Sequence, residues 1–379
     1  MASPVRELVK VEGIVQGVGF RPFVFNLAES LKLSGHVFNH SKGVDIELEG
    51  AREAIDAFKE RLTAHPPPLA HITRISAAPK EALGEKGFYI KESQGAGAKT
   101  ALVAPDSDVC PDCLRELFDP GDRRYRYPFI NCTNCGPRFT IIHGIPYDRP
   151  NTTMSVFPMC DDCRAEYEDP RDRRFHAQPV ACPACGPRLT FRDESFHPAG
   201  SEDPVADAAR TIRKGGAVAV KGIGGYHLAV DAENEDAVLR LRERKRRDEK
   251  PFAVMFPDID TLRGFARVGA AEASLLESRA HPITLVEKID KDILPGAAPA
   301  NRYIGAMVPY TPIHHLLLKE GPFTALVMTS AGIERYLTWL GEPTEPPTLA
   351  PARGPPFFKS RVIRRRLGEP VQAELFDTH

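Results

Sequence analysis

Eight cysteines in two copies of one spacing pattern constrain the fold of this 379-residue chain more than any other feature. Each copy has the form Cys-x2-Cys-x18-Cys-x2-Cys, and the second follows the first at an offset of 50 positions. Neighbouring residues recur at the same offset, so that Asp119-Pro120 returns as Asp169-Pro170. These coincidences indicate a duplicated supersecondary unit. Its cysteines are Cys110, Cys113, Cys132, Cys135, Cys160, Cys163, Cys182 and Cys185.

The spacing within each copy lies in the range of four-cysteine zinc sites. Four thiolates suit tetrahedral zinc and leave no open position for a substrate, so we expect two structural sites. Metal binding at each would contribute on the order of 10 kcal/mol to folding. Redox cysteines and an iron–sulfur site are the alternatives, and counting alone also permits disulfides. Thiolate sites need a reducing compartment, which favours a cytoplasmic chain.

Two arginine pairs, Arg123-Arg124 and Arg173-Arg174, also repeat within this unit. They could contact phosphate or RNA, but a solvated face is the interpretation that the sequence favours. The formal net charge of −1 argues against a chain built mainly to coat nucleic acid. No apolar run approaches the roughly 18 residues of a membrane helix, and Met1 to Lys10 contain no apolar segment of signal-peptide length.

A glycine-rich loop near the N-terminus is the strongest candidate for a binding or catalytic site. It joins a strand-like run, Arg6 to Glu12, to a helix-like run, Pro22 to Leu33. Closely spaced glycines in such a loop expose consecutive backbone N–H groups, which form an anion cradle with the helix N-terminus. Arg21 would close the cradle with a planar guanidinium suited to phosphate oxygens, whereas an ordinary tight turn is the alternative. The cradle residues are Gln16, Gly17, Val18, Gly19 and Phe20.

This loop, followed by Gly35 to Asn39, resembles the acylphosphatase signature, and the resemblance runs from about Val5 to Ser93. It implies a ferredoxin-like βαββαβ fold in which Arg21 binds the phosphoryl group and Asn39 orients the attacking water. An acyl phosphate is already activated, so a phosphate clamp and a positioned water suffice. Without this resemblance, Asn39 would be interpreted as a turn residue at the end of a strand. The sequence patterns predict strands near 6–12, 35–39, 44–49, 72–77 and 87–91 and helices near 22–33 and 54–62.

A new α/β pattern begins near Val205, after a Gly/Ala-rich linker at 94–98 and a second boundary near 196–204. The pattern predicts a helix that ends at Gly215-Gly216 and then a buried strand, Ala217–Lys221. A basic helix end at 240–247 fits triphosphate binding, and it also fits a solvated helix. A dinucleotide fingerprint would need glycine at position 227, which is histidine, so a Rossmann interpretation is weak.

A YrdC-type carbamoyladenylate-forming domain is what several segments of this region resemble: Lys221 to Leu228, Lys245 to Arg247, Lys250 to Phe252, Tyr310 to Leu317 and Met328 to Ser330. Acylphosphatase, duplicated four-cysteine zinc module and YrdC-like domain, in this order, resemble the N-terminal part of the hydrogenase-maturation carbamoyltransferase family, HypF. The fold class that follows is a multidomain α+β chain with an incomplete α/β YrdC-like domain. The expected domains are an acylphosphatase-like domain at 1–93, the zinc module at 105–195, the YrdC-like domain at 203–335 and a tail at 336–379.

The resemblance implies carbamoyl phosphate and ATP, with Mg, as substrates. Carbamate released in the first domain would attack ATP in the third, giving carbamoyl adenylate and pyrophosphate. The family then transfers the carbamoyl group to its partner HypE, on the route to the cyanide ligands of [NiFe]-hydrogenase. Carbamate decays quickly in water, so it must travel by an enclosed path. The implied ATP and carbamate contacts are Lys221, Lys245, Arg247 and Ser330.

After Ser330 the chain departs from the family pattern, which is expected to continue with Gly-Asn and then a Ser and a Pro. Residues 336–379 are Pro-rich and then basic, and this composition predicts a disordered tail. We hypothesise a truncated or frameshifted chain, with a natural short form as the rival. The competing functions are a stand-alone acylphosphatase with non-catalytic binding modules, a zinc-based adaptor, and a tRNA-modification enzyme that uses bicarbonate and threonine.

Overall fold

The structure, a computed structural model, describes residues 4–40, 43–91, 104–144, 147–195, 197–223, 225–247 and 249–331. The predicted linker at 94–98 and the predicted disordered tail at 336–379 lie outside the described residues. Within the described ranges, no helix combines the length and the apolar character that crossing a bilayer requires.

The N-terminal region forms a five-stranded sheet with two helices, which confirms the predicted βαββαβ fold. The strand order is β4-β1-β3-β2-β5, and every neighbouring pair is antiparallel except β2 and β5. Val9, Ile46 and Phe58 are fully buried between the sheet and the helices. The elements are β1 (Val5–Ile14), α1 (Phe20–Ser30), β2 (Ser34–His40), β3 (Gly43–Gly50), α2 (Arg52–Ala64), β4 (His71–Lys80) and β5 (Phe88–Ile90).

Helix α1 begins two residues earlier than the sequence predicts and ends three residues earlier. Gly19 has φ +74° and ends the loop, so Phe20 is the first helical residue. Pro22 is tolerated in the first turn because a proline lacks only an N–H that has no intrahelical partner there. At the other end Lys32 has φ +54°, which a helix cannot accommodate.

The cysteine repeat contains two short helices that occupy equivalent positions, α3 (Pro111–Phe118) and α4 (Asp161–Glu168). Each helix starts directly after the first cysteine of its copy and carries the second cysteine in its first turn. Four 3-10 turns connect the remaining chain, at Thr133–Cys135, Phe139–Ile141, Arg149–Asn151 and Thr153–Val156. The apolar core of this module also includes Val205 and Leu316, which belong to the following region.

The third region is a seven-stranded sheet with order β6-β7-β12-β8-β11-β10-β9, in which only β11 and β8 pair in parallel. Its first helix starts at Pro204, since the Asp203 side chain accepts hydrogen bonds from the N–H groups of Val205 and Ala206. The elements are α5 (Pro204–Arg213), β6 (Val218–Lys221), β7 (Tyr226–Asp231), α6 (Glu235–Lys245), β8 (Ala253–Met255), α7 (Ile259–Arg263), β9 (Ala266–Arg267), α8 (Ala270–Leu276), β10 (Thr284–Lys288), β11 (Tyr303–Met307), α9 (Pro312–Glu320) and β12 (Leu326–Ala331).

Candidate functional site

The glycine loop between β1 and α1 has the backbone geometry of an anion cradle. Gly17 and Gly19 have φ of +73° and +74°, a region that favours glycine. The first N–H groups of α1 have no intrahelical acceptor and carry the positive end of the helix dipole. Val18 and Phe20 anchor the loop because their side chains are buried in the first core. Gln16 uses its side chain structurally, donating from Nε2 to the carbonyls of His40 (2.8 Å) and Gly43 (2.9 Å).

Arg21 and Asn39, which the sequence predicts as the catalytic pair, are in direct contact beside this loop. With the Asn39 amide oriented by its hydrogen bonds, Asn39 Oδ1 accepts from Nε and Nη2 of Arg21, at 3.2 Å each. Both residues are buried. Burial lowers the pKa of Arg21, and the charge of Asp148 opposes this shift. A buried guanidinium favours an anionic partner, so this corner of the molecule is suited to a phosphate group.

The cysteine module forms one wall of this site, which the sequence does not reveal. Asp148 Oδ1 lies 3.7 Å from Arg21 Nη2. The Tyr147 ring lies so close to Gly17 that a Cβ there would approach Tyr147 Cδ1 to 2.9 Å, and Thr133 packs against Gly19 in the same way. One difference between the two copies could have pointed to this wall. The positions equivalent to Tyr147 and Asp148 in the second copy are histidine and proline, so these two residues are not part of the repeated pattern.

A stacked aromatic pair extends the wall near Arg21. The rings of Tyr167 and His176 stack with centroids 5.0 Å apart, and the Tyr167 hydroxyl donates to Gln178 Oε1 at 2.9 Å. Burial, together with the charge of Arg21, lowers the pKa of His176 to about 4. His176 is therefore neutral at physiological pH, and Arg21 remains the dominant positive charge beside the cradle.

The eight cysteines form two four-cysteine clusters and no disulfide, so the pairing that counting alone permits does not occur. Within the clusters, the Sγ atoms of Cys110 and Cys132 are 3.5 Å apart and those of Cys163 and Cys185 are 3.7 Å apart. A tetrahedron with metal–sulfur bonds of about 2.3 Å has edges of about 3.8 Å, so both clusters fit zinc. Neither cluster leaves a ligand position open for substrate.

The arginine pair of the first copy braces the metal cluster of the second. Arg123 donates from both terminal nitrogens to Cys163 Sγ at 3.4 Å, and Arg124 pairs with Glu166. Arg124 is only 1% exposed, so the prediction of a solvated face is wrong for it. Burial alone would raise the pKa of Glu166, but the hydrogen bond from Arg124 and the surrounding arginine charges hold that pKa below its usual value.

The arginine pair of the second copy makes the reciprocal contacts with the first. Arg173 donates from Nη1 to Cys113 Sγ at 3.0 Å, and Arg173 and Arg174 both pair with Glu116. Arg174 is 4% exposed. A zinc ion held by four thiolates carries a net charge of −2, which these guanidinium groups offset. Each copy of the repeat thus completes the surroundings of the other copy's metal site.

In the third region, three of the four predicted ATP and carbamate residues come together at the end of β12. Lys245 Nζ donates to the Ser330 carbonyl at 2.8 Å, and Arg247 Nη1 donates to Thr329 Oγ1 at 3.3 Å. Lys245 and Arg247 are buried cations. Lys221 lies on β6, opposite Tyr226 at the start of β7, and β7 also pairs with β12. The exposed Lys221 side chain is therefore at the same end of the sheet.

A cavity of about 580 Å³ lies between the cysteine module and the third region. The module contributes equivalent residues from its two copies, since Arg138 and Thr140 recur as Arg188 and Thr190. The third region contributes Lys221 and its neighbours. Arg138 is also in contact with a residue of the first site, because its backbone N–H donates a hydrogen bond to the Tyr147 hydroxyl at 3.2 Å.

Three family models match the chain in the order that the sequence predicts. The acylphosphatase family matches residues 8–90, and the HypF finger family matches residues 109–142 and 159–192. The family that groups Sua5, YciO and YrdC, described as telomere recombination, matches residues 210–339. The two finger matches coincide with the two copies of the cysteine repeat.

Whole-chain relatives extend this similarity. Carbamoyltransferase HypF2 of Cupriavidus necator is 48% identical over 344 residues, which are 89% of this chain and 41% of the relative. A solved structure of full-length HypF in a phosphate- and nucleotide-bound form superimposes with a TM-score of 0.84 at 47% identity, covering 90% of this chain and 46% of that chain. The acylphosphatase of Thermotoga petrophila is 42% identical over 84 residues, which are 22% of this chain and 92% of the relative. The chain therefore spans less than half the length of the HypF relatives.

Proposed function

Because the chain belongs to the HypF carbamoyltransferase family, we propose that it hydrolyses carbamoyl phosphate and uses the released carbamate to form carbamoyl adenylate from ATP. The observation that carries the first step is the buried Arg21–Asn39 pair beside the glycine loop. We assign this step to residues 1–93, structural zinc to 105–195 and adenylate formation to 203–335. The thiolate clusters require reducing conditions, which supports a cytoplasmic location.

Hydrolysis needs two functions that this site supplies. The N–H groups from Gly17 to Phe20 and the guanidinium of Arg21 bind the phosphoryl oxygens and stabilise the charge that develops on them. The Asn39 side chain, fixed by its contact with Arg21, positions the attacking water. The products are carbamate and phosphate. The wall formed by the cysteine module limits the access of bulk water to the unstable carbamate.

The second step joins carbamate to the α-phosphate of ATP and releases pyrophosphate. Lys221, Lys245 and Arg247 supply three positive charges for the triphosphate of Mg-bound ATP at one end of the sheet. The cavity of about 580 Å³ lies between the cysteine module and the third region, with Arg138 and Arg188 as cations suited to an anionic intermediate. Family membership supports HypE as the onward acceptor of the carbamoyl group.

Phosphate release from carbamoyl phosphate, measured above the spontaneous rate, tests the first step. We expect Arg21→Ala and Asn39→Ala to lower kcat/KM by about 100- to 1,000-fold, as the loss of a group that stabilises transition-state charge does. Arg21→Lys should also be impaired, because an ammonium group cannot hold phosphate and Asn39 in one planar fork. Arg61→Ala, an exposed arginine on α2, is the matched control. Unchanged release by Arg21→Ala would remove the catalytic role of this site.

A further inference from the structure

A carboxylate beside the anion cradle has no part in the hydrolytic step described above. Asp148 Oδ1 lies 3.7 Å from Nη2 of Arg21, the residue that binds the phosphoryl group in the proposed reaction. The Asp148 side chain is 27% exposed, so a bound substrate can reach it. A negative charge at this position repels the phosphoryl group of any substrate. An unfavourable charge beside the cradle therefore indicates a further role for this residue.

The local fold does not use the Asp148 side chain either. Asp148 is the N-cap residue of the 3-10 turn Arg149–Asn151, a position where an aspartate usually accepts a hydrogen bond from a backbone N–H of the turn. Its side chain makes no such bond. The separation of 3.7 Å from Arg21 is longer than a hydrogen bond. Within the described ranges, the carboxylate of Asp148 thus accepts no hydrogen bond from the protein.

The residues on both sides of Asp148 hold it firmly in place. Tyr147 is 3% exposed, and its hydroxyl accepts a hydrogen bond from the Arg138 backbone N–H. The backbone N–H of Arg149 donates to Gln178 Oε1 at 2.7 Å, and its guanidinium donates to the Gln178 carbonyl at 2.8 Å. The carboxylate is therefore fixed beside the cradle while its acceptor oxygens stay available for a ligand.

The geometry of the cradle directs the acyl group of a bound acyl phosphate toward Asp148. Val18 and Phe20 fill the side of the loop that faces the first core. In the proposed reaction the attacking water lies beside Asn39, and displacement in line places the leaving acyl group roughly opposite that water. The remaining side of the cradle is the cysteine module, where Asp148 approaches Arg21.

A carboxylate at this position discriminates between acyl groups of the same size. The carbamoyl group ends in an amino group, which donates hydrogen bonds, whereas the acetyl group has a methyl group in its place. An ionised carboxylate only accepts hydrogen bonds, and those that it accepts are stronger than neutral ones. A site that binds a substrate N–H in this way rejects an analogue that lacks it.

We propose that Asp148 determines the acyl specificity of the first site by accepting a hydrogen bond from the amino group of carbamoyl phosphate. The attraction for the amino group offsets the repulsion of the phosphoryl group, which explains a carboxylate at an anion site. The acylphosphatase match ends at residue 90, so this recognition is an addition made by the cysteine module. The assignment rests on the proposed function and names the residue that selects its substrate.

The test compares carbamoyl phosphate with acetyl phosphate on the full, zinc-loaded chain, by phosphate release above the spontaneous rate. The two substrates carry the same charge, so the repulsion between Asp148 and the phosphoryl group cancels in the ratio of their kcat/KM values. Asp148→Ala should lower the ratio of carbamoyl phosphate to acetyl phosphate by about tenfold or more, as the loss of a hydrogen bond to a charged group does. The amino group is the same in substrate and transition state, so the loss should appear in KM and not in kcat.

Two further variants complete this experiment. Asp148→Asn keeps one neutral acceptor oxygen, so its ratio should fall less than that of Asp148→Ala. Glu168→Ala, at an exposed residue of the same module, is the control and should keep the wild-type ratio. The ratio does not depend on the fraction of active enzyme, so partial misfolding of a variant cannot imitate the effect.

The outcomes separate this recognition from the proposed function. An unchanged ratio in Asp148→Ala, or a wild-type chain that prefers acetyl phosphate, would overturn the role of Asp148 and leave hydrolysis standing. A fall in the ratio that lies wholly in kcat would also overturn it. A wild-type chain that releases phosphate from neither substrate would overturn the proposed hydrolysis, and this assignment with it.

Discussion

At the residue scale, the first site depends on one buried guanidinium with two different neighbours. Asn39 accepts hydrogen bonds from Arg21, whereas Asp148 contributes a carboxylate charge 3.7 Å away. The carboxylate partly offsets the cost of burying Arg21 when no anion is bound. It also repels a phosphate that enters the cradle. Asp148 therefore sets how tightly the site holds anions, including the product phosphate.

Replacing Asp148 with asparagine tests this role. The substitution removes the repulsion between the carboxylate and a bound anion, so inorganic phosphate should inhibit more strongly. A partly screened charge interaction of about 1 kcal/mol corresponds to an inhibition constant about fivefold lower. The measurement is phosphate inhibition of carbamoyl phosphate hydrolysis, with Glu168→Gln, an exposed residue of the same module, as control. An unchanged inhibition constant would mean that Asp148 does not oppose the anion.

The resemblance to acylphosphatases could identify Arg21 and Asn39 as a pair, because it implies a fold in which their two elements lie side by side. It could not identify Asp148, because this residue approaches Arg21 only when the cysteine module packs against Gly17 and Gly19. It also could not show that the Gln16 side chain is occupied by the β2–β3 turn. Contacts that depend on docking between distant segments leave little local pattern in a sequence.

At the scale of elements, the cysteine repeat behaves as two halves that complete each other. Cysteine spacing predicts each cluster because its four ligands lie within a short stretch of chain. Arginines that brace the opposite copy have the same sequence pattern as a solvated basic face, which is why that prediction was wrong. The reciprocal contacts of Arg124 with Glu166 and Arg174 with Glu116 show that the duplication has a structural consequence.

The buried arginine of the first copy should be important for stability. Arg124→Ala removes the buried one of the two arginines that pair closely with Glu166, leaving Arg123 at 2.6 Å, and it removes a donor to the Ala181 carbonyl. Removing one member of a buried ion pair typically costs about 3 kcal/mol, so we expect a loss near that size in urea unfolding of the zinc-loaded chain. Arg115→Ala removes an exposed pair of the same module and should cost less than about 1 kcal/mol. Equal losses for the two variants would refute the bracing role.

The contacts between an arginine of one copy and a cysteine of the other should also slow the release of metal. Arg173 belongs to the second copy, yet it donates to Cys113 of the first cluster. A hydrogen bond to a charged group contributes about 1.5 kcal/mol, so Arg173→Ala should release one of the two zinc ions about tenfold faster to a chromogenic chelator. Arg171→Ala, an exposed arginine of the same turn, is the control. If both ions leave at the wild-type rate, the contact does not stabilise the metal site.

At the scale of the whole molecule, three folded units adjoin one another around the proposed route of carbamate. The module's core continues into the third region through Val205 and Leu316. Its other side closes the first site through Tyr147 and Asp148. The sequence predicts the identity and order of the three units from their motifs. It does not predict the cavity of about 580 Å³, whose shape depends on how the units pack.

Under the proposed function, one chain couples acyl phosphate hydrolysis to adenylate formation. This coupling is measured as carbamoyl-phosphate-dependent ATP–pyrophosphate exchange on the purified, zinc-loaded chain. We expect exchange above background, and we expect Arg21→Ala to abolish this exchange while added ammonium carbamate restores it. Phosphate release from carbamoyl phosphate without any exchange would refute this coupling and leave a stand-alone acylphosphatase attached to non-catalytic modules.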